Sequence, residues 1–197
     1  MTKSERTKKF IIEQVAPIFN KKGAYGTSLS DITGATGLTK GAIYGNFKDK
    51  DTLAKACFEH NLKFLQKGLY KSLASQGSSW SKIEKLISFY EDGFPFITQS
   101  GGCPLMNSAI ESDDGYPLLK QQVKLTFDLW KTELAAVILA GQESGEFNGQ
   151  ADATVLAKFF IATIEGAILL SKSSGEQETF KEVLGKLALV LEKELKL

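Results

Sequence analysis

Thr39, Lys40, Gly41 and Tyr44 lie within six positions of one another, and their types suit contact with a polyanion. Lysine donates to phosphate or to guanine acceptors. Threonine touches a base edge or a thymine methyl, and a tyrosine hydroxyl can donate to phosphate. Glycine lets a backbone come close. Cys57 and His60 form a second set, a thiol and an imidazole on one helix face, and such a pair invites a nucleophilic reading. A third candidate is Cys103, a thiol at the start of an expected helix, where a thiolate is favoured.

The first set is the one its surroundings support. Leu29, Ile32 and Ala35 are spaced by three and share one face of a short helix. Gly37 supplies the freedom a sharp turn needs, and Leu38 plugs the core after it. Thr39 is a suitable N-cap for a second short helix, in which Ala42, Ile43 and Phe47 face inward. Thr39, Lys40, Gly41 and Tyr44 are then left facing outward. This is a helix-turn-helix, and its outward surface is what a DNA major groove accepts. Thr27 and Ser28, before the first short helix, and Lys50, at the start of the next long one, are expected at backbone phosphates.

The other two sets lack support. Cys57 and His60 fall inside a helix expected to be packed, with no orienting Asn or Asp evident. Two cysteines and one histidine scattered over the chain make neither a metal site nor a disulfide framework. No phosphate-cradling or dinucleotide glycine motif occurs. Neither an enzyme, a cofactor nor a metal is expected. For Cys103, no Lys or Arg nearby in sequence favours the thiolate, so a buried structural cysteine is the preferred reading.

At 197 residues and 43% hydrophobic, the chain can bury a core as one or two units. Net charge is only +1, but it is unevenly placed. Residues 1–50 carry nine basic and four acidic side chains, a net of +5, and the remainder carries fifteen and nineteen, a net of −4. A positive head on a negative body concentrates phosphate attraction at one end. The N-terminus has no apolar leader, and the longest apolar stretch, 155–170, is broken by Lys158 and Glu165. A cytoplasmic protein with reduced thiols and no membrane span is expected.

Almost every segment has helical period. The expectation is an all-α fold of about nine helices: a three-helix head over residues 1–50, then a larger helical bundle over 51–197. Gly23 should end the first helix and Pro17 bend it. Residues 94–104, with two prolines and two glycines, read as a loop, and 112–115 as a turn.

The run from Thr27 to Leu53 resembles the N-terminal signature of the tetracycline-repressor (TetR) family. The matching positions are Thr27, Asp31, Ile32, Gly37, Leu38, Thr39, Lys40, Gly41, Ile43, Tyr44, Phe47, Lys50, Asp51 and Leu53. Gly34 and Thr36 depart from it, where the family prefers alanine. The resemblance implies a regulator, most often a repressor, that binds a palindromic duplex DNA operator as a homodimer and is released by a small molecule. It implies that the C-terminal helix pair forms the dimer interface. Candidates are Val155, Phe159, Ala162, Gly166 and Leu170 on one helix and Leu184, Leu187 and Leu191 on the next. From the residues alone, plain intramolecular core is the other reading. A small lipophilic effector is expected among Phe94, Phe96, Cys103, Met106, Asn107, Phe127, Trp130, Phe160 and Ile164. Two alternatives stand beside this: a helical protein-binding adaptor, and a regulator sensing electrophiles or oxidants through Cys103, as some proteins similar to this family do.

Overall fold

The structure, a computed structural model, describes residues 1–113 and 115–196. Among these residues it contains nine helices and no strand. They are α1 (Lys3–Gly26), α2 (Leu29–Thr36), α3 (Lys40–Tyr44), α4 (Lys50–Leu73), α5 (Ser79–Gln99), α6 (Pro104–Ser112), α7 (Pro117–Glu143), α8 (Ala153–Ser174) and α9 (Gln177–Leu195). The turn expected at 112–115 includes Asp114, which lies outside the described residues.

The chain divides into two compact units: residues 1–64 with 100–125, and residues 65–99 with 126–197. The first therefore takes in more than the head drawn at residue 50. Residues 51–64 of α4, all of α6 and the start of α7 belong to it. Its core joins Ile11, Val15, Ala16 and Phe19 of α1 to Ile32, Ile43, Phe47, Leu53 and Cys57.

In α1 the helical backbone continues through Pro17 and breaks instead at Gly23, where φ is 76°. That left-handed geometry suits glycine. The amides freed by the break do not go unpaired. The Glu111 carboxylate of α6 accepts hydrogen bonds from the backbone N–H of Ala24, at 2.8 Å, and of Tyr25. The Asn20 side chain donates to the carbonyls of Ser100 (2.8 Å) and Gly102 (3.1 Å). Asn107 donates back to the Asn20 carbonyl at 3.0 Å. These polar ties explain why residues 100–125 fold with the N-terminal helices.

The second unit is built on α8 packed against α9, with α5 against both. Phe94 and Phe180 stack with ring centroids 4.2 Å apart. The expected loop at 94–104 is shorter than its composition suggested, because α5 runs on to Gln99 with Pro95 inside it. Pro95 is exposed, as is Glu91 four residues before it, so water can satisfy the carbonyl that proline leaves without a donor. Only residues 100–103 form the loop, with Gly101 and Gly102 at φ 106° and 99°.

By length and composition alone α8 is apolar enough to cross a membrane, a test that a helix packed in a bundle core also passes. Its two faces differ. Ala157, Phe160, Ile164 and Ile168 are buried, whereas Val155 (54%), Phe159 (40%) and Leu170 (59%) are exposed and Gly166 meets nothing within 4 Å of where a Cβ would stand. Leu184, Leu187 and Leu191 of α9, expected at a subunit interface, are each 1% exposed. They fill this chain's own core and leave no surface for a partner. The large exposed apolar residue of α9 is Leu189 instead.

Two glycines make opposite predictions. A Cβ on Gly141 would stand 2.3 Å from the buried Phe147 ring, so Gly141→Ala should lower stability by about 1–3 kcal/mol. Gly34 lies inside α2 with nothing within 4 Å, so Gly34→Ala should raise stability by about 0.5–1 kcal/mol. Thermal melts of the two variants check this; at this size about 1 kcal/mol moves the midpoint by roughly 2–4 °C.

Candidate nucleic-acid interface

The turn between α2 and α3 is built from caps. Ser28 is the N-cap of α2: its hydroxyl accepts from the Asp31 N–H at 3.1 Å, and the Asp31 carboxylate accepts from the Ser28 N–H at 2.8 Å. Lys22 of α1 reaches the same carboxylate at 2.7 Å. The bond from Lys22 and those from Ser28 hold the Asp31 carboxyl well below the usual carboxylate range. At the other end Gly37 has φ 67° and donates its N–H to the Thr33 carbonyl at 2.8 Å. Thr36, which the sequence marked as a weak helix residue, is buried; its hydroxyl donates to the Ile32 carbonyl and accepts the Leu38 N–H at 3.3 Å. It is part of the turn.

Thr39 then caps α3, accepting the Ala42 N–H at 3.2 Å. Ile43 is fully buried and Phe47 nearly so. Thr39, Lys40 and Gly41 are exposed and Tyr44 half-buried, so the first turn of α3 lies open at the surface. Asp49 caps α4: its carboxylate accepts the Thr52 hydroxyl at 2.6 Å and the Thr52 N–H at 2.8 Å, and these bonds, the hydroxyl's first, lower its pKa. Lys50 follows, half-buried.

One expected contact fails. Thr27 is fully buried, and its hydroxyl donates to the Gly23 carbonyl at 2.6 Å. It braces the break in α1 and cannot reach a phosphate. Ser28, the exposed neighbour, keeps a place at the surface. Sequence reasoning missed Lys22 and Asp31 as the pair fixing the entry to α2. The capping-box spacing from Ser28 to Asp31 was the signal for half of it.

The residues expected around an effector do not form one group. Cys103, Met106 and Asn107 belong to the first unit, where Cys103 is fully buried and Asn107 is bonded to Asn20 and Gly101. Phe96 is 52% exposed. Phe94 is buried on Phe180. In the second unit Trp130, Phe160 and Ile164 do come together, around a cavity that also touches Tyr90 and Glu165. Phe127 lines a neighbouring open cleft. Cys57 is fully buried, and burial pushes its thiol far up, so it supplies no nucleophile beside His60. Among the described residues no cluster of three metal-ligating side chains occurs.

Comparison with known proteins agrees with this geometry. Residues 11–57 match the family described as bacterial regulatory proteins, tetR family, and residues 80–187 match the tetracyclin repressor-like C-terminal domain. A TetR transcriptional regulator from Chloroflexus aurantiacus J-10-FL superposes with a TM-score of 0.93 at 32% identity, covering 100% of both chains. A TetR-family regulator from Cytophaga hutchinsonii gives 0.89 at 35%, covering 99% of this chain and 98% of that one. The HTH-type transcriptional repressor DhaR of Mycobacterium sp. (strain GP1) is 24% identical over 88% of this chain and 86% of its own.

The cap at Asp31 predicts an acid limb. Its folded pKa lies below the usual 3.8, so its contribution is complete above about pH 4 and is lost as pH falls through the lowered value. Asp31→Asn removes that titration. The thermal midpoint of the native protein should therefore fall more steeply below about pH 4 than that of the variant, read by circular dichroism.

Proposed function

The chain belongs to the tetracycline-repressor (TetR) family of transcription regulators, and on that premise we propose that it represses by binding a palindromic DNA operator as a homodimer and lets go when a small lipophilic molecule enters its helical body. Its relatives are regulators and not enzymes. DNA binding is assigned to residues 1–50, and effector binding and dimerisation to 51–197. The site of action is the cytoplasm.

Gly41 is the observation that carries the reading. A Cβ there would meet only the Thr39 hydroxyl, at 3.9 Å, so nothing inside the fold asks for glycine. Helix propensity argues against it. A backbone with no side chain at this exposed position lets a duplex groove come close. Lys40 and Thr39 then face base edges, and Tyr44, Ser28 and Lys50 face phosphates. One helix of five residues reads few base pairs. Two heads related by two-fold symmetry read a palindrome, with half-sites about 34–36 Å apart or a multiple of that.

The exposed face of α8, with Val155, Phe159, Ala162, Gly166 and Leu170, supports the pairing of two chains, and Leu189 of α9 extends the apolar surface available. Small residues at 162 and 166 let helices approach closely. An effector acts by binding the DNA-incompetent arrangement better; a coupling of about 1–3 kcal/mol gives roughly a 5- to 150-fold change in operator affinity.

Gel-shift or anisotropy titration with DNA flanking the gene tests the head. Gly41→Ala should melt no lower than the native protein yet bind at least about tenfold more weakly. Lys40→Ala and Tyr44→Ala should also weaken binding, with a reduced salt slope where a phosphate contact is lost. Full affinity in all three variants removes the assignment. For pairing, Phe159→Glu with Leu170→Glu should sediment as a single chain and lose operator binding. A native protein that sediments as a single chain and still binds its operator tightly would exclude the dimer.

A further inference from the structure

The cavity of the second unit leaves one donor unmet. Its walls include Leu86, Tyr90, Trp130, Leu134, Phe160 and Glu165. Trp130 is 3% exposed, and its ring N–H is buried without an acceptor among the described residues. A buried indole N–H normally finds a partner, because an unmade hydrogen bond leaves the full cost of stripping water from the donor. The indole nitrogen donates only, so what completes it is an acceptor, an oxygen with a lone pair to offer.

The walls decide the rest of the guest. Among the described residues they hold no lysine, arginine or histidine, so an anion would be buried there with no counter-charge and with a carboxyl group beside it. Glu165 is already engaged within the chain, so it sets no demand for a cation, and an ammonium has no lone pair for Trp130. The guest is therefore neutral. Tyr90, Trp130 and Phe160 bring three aromatic rings to a space otherwise mostly aliphatic, which suits a flat apolar body. A lone water accepts from an indole, but it wants about two to four polar partners, and these walls are mainly apolar. The gap between wall atoms is about 290 Å³, of which about 10 Å³ accepts the centre of a water, so a larger guest must part the walls. A more open cleft, lined by Phe127 and Lys158, shares Ile161 and Glu165 with the cavity and gives that guest a way in.

We propose that this cavity binds a neutral carbonyl compound with an aromatic ring, an apolar body whose carbonyl oxygen accepts the Trp130 ring N–H. The proposal rests on the regulator reading only in making that molecule the effector; the site itself stands on the cavity and its unmet donor.

The chain has two tryptophans, so Trp80→Phe leaves Trp130 as the sole indole. Four probes of like shape are used: 4-phenyl-2-butanone, butylbenzene, 4-phenylbutylamine and 4-phenylbutyrate. Affinity is read by calorimetry, and the Trp130 ring N–H by NMR with the indole nitrogen isotopically labelled. The ketone should bind at least about tenfold more tightly than the amine or the carboxylate. It should also move the Trp130 N–H proton downfield of where butylbenzene, which has the same ring and no acceptor, leaves it. Trp130→Phe keeps an aromatic wall and removes the donor; it should weaken the ketone by at least about fivefold and leave butylbenzene within about threefold. Amine or carboxylate binding as tightly as the ketone, a ketone affinity that survives Trp130→Phe, or no ketone binding at millimolar concentration overturns the proposal. If Trp130→Phe fails to fold, the resonance decides alone: a Trp130 N–H proton in the same place with ketone as with butylbenzene overturns it. Operator release is measured in parallel. Ketone binding without release sinks the effector role and keeps the site; operator binding with no ketone binding sinks the site and keeps the regulator.

Discussion

A helix of five residues cannot hold itself together, so α3 depends on its anchors. Nucleating a single turn fixes several dihedrals for one hydrogen bond, and an isolated α3 would melt. Ile43 at 0% exposure and Phe47 at 5% supply what local propensity does not, by inserting among Ile11, Val15, Leu53 and Cys57. The Thr39 cap then sets the first turn. Because Ile43 points into that core, Gly41, two residues before it, faces away, and Lys40 is held beside it in the exposed first turn. The outward surface is a consequence of the inward one, and any change that loosens Ile43 disperses all four candidate contact residues together.

The same dependence extends to segments distant in sequence. The break at Gly23 turns the chain toward α2, and it exposes amides that need acceptors. Glu111 provides them from α6, while Asn20 and Asn107 tie the loop at 100–102 to the end of α1. Thr27 closes the break from the other side. The helix-turn-helix is therefore not a self-contained motif here. Its entry is held by polar groups that lie about 80 positions further along the chain, in residues that compact with it.

That arrangement marks where the sequence was legible. Apolar spacing located the short helices, their turn at Gly37 and the caps at Thr39 and Asp49, because these are local effects of a few residues. The long-range ties were not legible. Nothing in the neighbourhood of Asn20 says that its amide will serve carbonyls at Ser100 and Gly102. Thr27 misled for the same reason: a threonine just ahead of a helix looks like a phosphate contact, but its hydroxyl turns inward to the Gly23 carbonyl at the backbone break. Composition misled at 94–104, where an exposed proline is tolerated inside α5 because water reaches the carbonyl it strands. The α9 leucines were placed at a subunit interface by resemblance; their period identifies an apolar face without saying which neighbour covers it, and here the chain's own core does.

Helix α8 joins the two proposed functions of the body through its periodicity. Phe160, Ile164 and Glu165 line the cavity, while Phe159, Ala162 and Gly166, interleaved with them, look the other way. Neighbours on a helix are about 100° apart, so a guest that pushes on Phe160 or Ile164 cannot leave the opposite face where it was. A cavity that accepts little more than a water must open to take anything larger, and α8 is one of its movable walls. In the proposed dimer that displacement acts at the surface joining two chains, which sets the distance between their reading heads. No separate relay is then needed from the effector to the pairing surface: one rigid helix carries both.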